Sequence, residues 1–66
     1  SITKKKIVDC IQYPDKVVQQ SRVRFRVTQV VLQKKKQHLL VVIYDQSPDA
    51  LTIVTAFVTS KLKKYL

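Results

Sequence analysis

Glycine is absent from this 66-residue chain, as are tryptophan and methionine, and cysteine and histidine occur once each. Without glycine, the glycine-rich loops that cradle phosphates are excluded. Cys10 has no mate in the chain, so no internal disulfide can staple it. Cys10 and His38 together fall short of the four ligands of a structural zinc site. The acidic residues are all aspartate (Asp9, Asp15, Asp45, Asp49), and they fall in the expected helix, strand ends and turns without metal-site spacing. No metal and no cofactor is implied. No apolar run approaches the ~18–20 residues that span a bilayer; the longest runs from Leu39 to Tyr44. The N-terminal lysines are not followed by the apolar stretch of a secretory signal. A lone thiol suits the cytoplasm, and no membrane partner is expected.

What the chain has in excess is positive charge: 13 lysines and arginines against four acids, a net +9. An imbalance of this size points to a polyanionic partner, either a nucleic acid or an acidic protein. A chain of this length buries only about 60% of the surface its unfolded form exposes, so its folding free energy is small and a partner would add to it.

Ile7, Val8, Cys10 and Ile11 recur at helical spacing behind the potential N-caps Ser1 and Thr3, which predicts an amphipathic helix from about Ile2 to Gln12. Three lysines in its first turns oppose the helix dipole. Tyr13-Pro14-Asp15 ends it, because the residue before proline is pushed out of the α region. Asp15 to Gln20 reads as a connector that carries Val17 and Val18 into the core. Residues 22–28 then alternate strictly, with Val23, Phe25 and Val27 on one side and Arg22, Arg24 and Arg26 on the other, the mark of a half-buried strand. Val30, Val31 and Leu32 continue it after a phase change near Gln29 that suggests a bulge or bend. Gln33 to Gln37 forms a polar hairpin tip, and His38 to Asp45 a second strand. Gln46 to Ala50 makes a further turn around Pro48, Leu51 to Thr59 a third strand, and Ser60 to Leu66 a short terminal helix capped by Thr59 or Ser60. The expected fold is α+β: an N-terminal helix, a three- to four-stranded antiparallel β-meander and a short C-terminal helix. The second and third strands are apolar on both faces, which asks for cover on both sides. One helix and a terminal stub look too small for that, so a homodimer or a heteromer is expected.

The row Arg22, Arg24 and Arg26 is the leading functional feature. Period-two spacing projects three guanidiniums from one face roughly 7 Å apart, and arginine grips phosphate through paired hydrogen bonds. Lys34, Lys35 and Lys36 at the hairpin tip add charge. Lys61, Lys63 and Lys64 beside Tyr65 combine cations with an aromatic ring, a pairing suited to backbone contact and base stacking.

Three stretches also carry a resemblance: Ile2-Thr3, Ile7-Val8 and Tyr13 to Val17; then Leu39 to Val42; then Ile53 to Phe57 leading into Thr59 to Leu66. Together they resemble a family of small domains related to the RelE/ParE and BrnT-like toxins, in which a helix ends in a Pro-Asp turn before an antiparallel sheet. The resemblance implies one RelE/ParE-like domain over residues 1–66 of a toxin–antitoxin system. It would bind RNA or the ribosome, act as an mRNA endonuclease, and pair with an acidic antitoxin-like protein. By position, Arg24, Arg26, Lys61 and Tyr65 would be its catalytic residues, and Arg22, Arg24, Arg26, Lys34, Lys35, Lys36 and Lys64 its nucleic-acid contacts. Such relatives begin with a further segment carrying Ser-x-His-Ala and an arginine-rich helix, which this sequence does not match; the expectation is a domain without that segment. The residues alone leave two other classes open, a non-catalytic dimerising interaction module and a simple nucleic-acid-binding β domain.

Overall fold

A computed structural model of the chain describes residues 2–66. Helix α1 (Lys4–Gln12) leads into strands β1 (Lys16–Gln19), β2 (Arg24–Gln33), β3 (Lys36–Gln46) and β4 (Leu51–Thr59), and a single turn, α2 (Leu62–Tyr65), ends the chain. The four strands form one antiparallel sheet in the order β1-β2-β3-β4. The α+β architecture expected from the sequence is the one observed.

Thr3 caps α1: its hydroxyl accepts from the Lys6 amide at 3.3 Å, and its own carbonyl accepts from the Ile7 amide at 3.1 Å. The helix therefore begins at Lys4 rather than at Ile2, and the other expected cap, Ser1, lies outside the described residues. Ile7, Cys10 and Ile11 turn inward onto Val27, Leu40 and Val42, while Val8 is exposed on the flank. Cys10 is fully buried, and its thiol donates to the Leu40 carbonyl at 3.6 Å. Burial, reinforced by the charges of Asp15 and Asp9, raises its pKa to about 11.

The connector is a strand. Asp15 ties it down, donating its amide to the Thr28 carbonyl at 2.8 Å and accepting from the Val30 amide at 2.7 Å. From there Lys16 pairs with Thr28 and Gln19 with Phe25. Val17 lies on the α1 side of this outer strand, but α1 sits over β2 and β3, so Val17 stays exposed instead of entering the core. The strand after it starts two residues later than the alternation suggests. Ser21 accepts from the Arg24 amide through its hydroxyl at 3.1 Å, and the Gln20 amide donates to the Arg24 carbonyl at 2.8 Å. That turn holds Arg22 and Val23 outside β2. Pairing of β2 with β3 runs unbroken from Arg24 to Gln33, so no bulge occurs near Gln29; the register shift lies instead between β3 and β4, at Ile43/Tyr44.

The β2–β3 loop is only two residues long, Lys34 and Lys35, with φ of 50° and 65°. Two left-handed residues in a two-residue hairpin define a type I′ turn, usually built from Asn-Gly. A side chain with a Cβ costs roughly 1–2 kcal/mol at each such position.

The cover of the sheet departs most from expectation. Leu40 and Val42 face α1, whereas Leu39 and Val41 face the other way, and all four are buried. The centre of the second face is covered by the chain's own C-terminal residues: α2 folds back across β3, with Tyr65 edge-on to Phe57 at 5.7 Å between ring centres, while Val30 and Leu32 stay exposed towards the hairpin tip. The Lys16 ammonium donates to the Leu66 carbonyl at 2.7 Å and fastens the end of this strap. Neither expected side-chain cap serves α2, although the Thr59 hydroxyl accepts from the Lys61 amide just before it. The centre of the meander is thus covered without a partner. Apolar exposure remains along β4, at Leu51, Ile53 and Val54.

The Cys10 environment makes a direct forecast. In the native protein at pH 8 the thiolate fraction is on the order of one in a thousand, and the sulfur is enclosed. A colorimetric thiol reagent should titrate Cys10 at least ~100-fold faster in denaturant than in native buffer; comparable rates would place Cys10 outside the core.

Candidate nucleic-acid interface

Cross-strand partners share a face, so the register assigns every side chain of the sheet. Arg24, Arg26, Thr28, Val30 and Leu32 of β2 lie on the face away from α1, together with Leu39, Val41, Ile43 and Asp45 of β3 and Lys16 and Val18 of β1. His38 is paired with Val31 on the α1 side, and its ring nitrogen Nδ1 lies 3.2 Å from the Lys36 carbonyl. The single imidazole is therefore separated from Arg24 and Arg26 by the sheet.

The arginine row is broken into three different situations. Arg22 sits in the β1–β2 turn, outside the strand. Arg24 is matched to Asp45 across the β2–β3 pair: its Nε lies 2.8 Å from Oδ1 and its second terminal nitrogen 3.1 Å from Oδ2, a two-pronged contact. This is the only ion pair among the described residues. The hydrogen bond with Asp45 raises the Arg24 pKa, and the same bond holds the Asp45 carboxyl below its ordinary range. Arg24 is thus already committed to an internal anion.

Arg26 is not. Its guanidinium lies over the Tyr65 ring, 5.5 Å from the ring centre, and its Nε is buried with no hydrogen-bond partner among the described residues. The Lys64 ammonium lies 5.4 Å from the same ring centre. Lys16 approaches through the Leu66 carbonyl. Three cations and one aromatic ring converge where α2 crosses the sheet, and no aspartate among the described residues is bonded to any of them. Asp9 and Asp15 are used on other groups: Asp9 accepts from the Gln29 side chain at 3.0 Å, and Asp15 from Val30. The ring and the guanidinium attract through the ring's negative face.

Of the residues expected to act together, the fold unites Arg26, Lys64 and Tyr65. It diverts Arg24 to Asp45 and leaves Arg22 in a turn. Lys61 is exposed at the start of α2, and Lys34, Lys35 and Lys36 lie at the far end of the hairpin. Lys16 is the member that sequence reasoning missed. Its only signal was a position opposite Thr28, which appears once the connector is recognised as a strand. A cavity of about 440 Å³ lies on the opposite side, between the start of α1 and the sheet, lined by Ile2, Lys6, Asp9, Gln29 and Leu40. Its polar groups already satisfy one another in part, through the bond between Asp9 and Gln29.

The Arg24–Asp45 pair sets a pH dependence. Asp45 is held below the usual carboxylate pKa, so its contribution is fully present above that value, near 4 for an unperturbed Asp, and disappears as pH falls through its lowered folded value. Carboxyl titration by NMR should place Asp45 below the ordinary aspartate range, and Arg24→Gln should return it towards that range. An Asp45 midpoint unchanged by that substitution would disprove the pair.

No protein-family model matches this chain, and no curated protein and no solved structure matches it either.

Proposed function

We propose that this chain is a toxin-like domain of RelE/ParE type that binds RNA through the face carrying Arg26, Lys16, Lys64 and Tyr65. One observation carries the reading: Arg26 is half-buried with its guanidinium over an aromatic ring, while its Nε has no hydrogen-bond partner among the described residues. Leaving a buried charged donor unpaired costs about 1–3 kcal/mol or more, a large share of a small domain's stability. A phosphate is the anion that would balance this guanidinium, and the neighbouring ammoniums would share its charge. The ring beside them offers a surface for a base. The resemblance to RelE/ParE-related domains and the net charge of +9 support the same reading. Binding rather than strand scission is proposed, because Arg24, one of the four residues expected to be catalytic, is taken up by Asp45.

Fluorescence anisotropy with a labelled single-stranded RNA tests this. Affinity should fall with salt, with a log–log slope of about −0.7 per phosphate contacted. Arg26→Ala should weaken binding by roughly 10-fold or more, the scale of a charge-assisted hydrogen bond. Arg24→Gln, which removes a cation already paired, should change it by less than ~3-fold. Salt-independent binding, or equal effects of the two substitutions, would refute the assignment.

A second reading, a dimerising interaction module, is favoured by a separate observation. Strand β4 is an open edge, and beside it a groove of about 540 Å³ is lined by Ile7, Val8, Ile11, Leu51 and Ile53, with Lys4 and Gln12 on its helix side. None of the nine residues of β4 is charged, so two copies could pair there without opposing their positive charge. On this reading light scattering should give twice the monomer mass, and Ile53→Lys should return it to one; a monomer at all concentrations would remove it.

A further inference from the structure

The tip of the β2–β3 hairpin is made of residues that its geometry disfavours. Lys34 and Lys35 both hold left-handed backbone conformations, and Lys36 follows directly. Asparagine and glycine would make the same turn without crowding a Cβ against a carbonyl. Three adjacent ammoniums also repel one another. A backbone outlier of this kind at an exposed position is a reason to look for function there.

A second observation points the same way. Leu32, two residues before Lys34, is 74% exposed, and Val30 is exposed as well. Both lie on the face of β2 that carries Arg26. From Arg26 to Lys34 is eight residues of nearly continuous strand, about 26 Å at ~3.3 Å per residue. Along that line the surface reads cation and ring, then bare apolar side chains, then a cluster of cations. The span is on the order of four extended nucleotides, the short end of single-strand site sizes.

We propose that Lys34 and Lys35 form a second phosphate contact for one single-stranded RNA segment, whose unpaired bases lie over Val30 and Leu32 on the way to Arg26; Lys36, paired with Gln33, lies on the α1 side. This rests on the RNA-binding reading above and adds the strandedness and length of the ligand. An acidic polypeptide would also meet the cations, but the exposed apolar pair between two cationic ends matches a backbone with regularly spaced charge and flat apolar faces.

The test uses the full chain with uridine oligomers of two to twelve nucleotides and two double variants that each remove two charges. Lys34→Asn/Lys35→Gly relaxes the turn, and its melting temperature should rise by ~5 °C or more. Its affinity for the octamer should nonetheless fall about 10-fold, and its salt slope should shrink by about 1.4, two phosphates' worth. Lys4→Gln/Lys5→Gln, on α1 across the sheet, should leave octamer binding within ~3-fold. Wild-type affinity should climb steeply up to about four nucleotides, and the tip variant should lose that step. Equal weakening by the two variants, or an unchanged length dependence, would overturn the tip contact while leaving Arg26 in place. Tip-dependent binding to poly-aspartate stronger than to RNA would overturn it in favour of an acidic protein. Wild-type protein that binds no RNA at all would instead refute the underlying reading, and this contact with it.

Discussion

Four consecutive residues of β3, Leu39 to Val42, are buried, and consecutive strand residues point to opposite faces. A run like this can exist only if both sides of the sheet are closed. Each such side chain contributes roughly 1.5–3 kcal/mol when withdrawn from water, so the requirement outweighs most local preferences. Helix α1 closes one side with Ile7, Cys10 and Ile11. The other side is closed by a single helical turn that would not be stable alone. That turn persists because Tyr65 packs on Phe57 and Lys16 holds the Leu66 carbonyl.

The polar chemistry follows from this apolar demand. Laying α2 across β3 brings Tyr65 over the Arg26 guanidinium and Lys64 beside the same ring. Arg26 is then caught between two environments, its guanidinium over the Tyr65 ring and its Nε without an acceptor among the described residues. Arg24, one pleat away on the same face, meets Asp45 instead and is neutralised. Two arginines that look equivalent in the alternation thus differ in charge balance because only one has a carboxylate opposite it in the register. The remaining described carboxylates near the core, Asp9 and Asp15, are occupied in tying α1 and β1 to β2. Positive charge is therefore left uncompensated where the C-terminus crosses the sheet and at the hairpin tip.

Local signals located most elements. The spacing of Ile7, Cys10 and Ile11 marked α1 and its buried cysteine, Pro14 marked its end, and Leu51 to Thr59 was delimited to the residue. The misses share one cause, pairing or packing with residues distant in sequence. Lys16 to Gln19 is too short to read as a strand until β2 supplies its partner. Arg22 looked like the first of a row until the Ser21 hydroxyl took the Arg24 amide and turned the chain there. The phase change at Gln29 was only apparent, because Val30 and Leu32 are apolar side chains left on the outward face.

By itself, the sequence determined the α+β class, the antiparallel order, the excess of positive charge and the exclusion of disulfides and glycine loops, since these depend on composition, local periodicity and turn chemistry. Only the tertiary structure decided that the chain's own C-terminus covers the second face. It also decided that Arg24 is spent on Asp45, and that Arg26, Lys16, Lys64 and Tyr65 form one cluster. Those outcomes depend on cross-strand register and on where a strap from the end of the chain lands. Neither is written in the spacing of neighbouring residues.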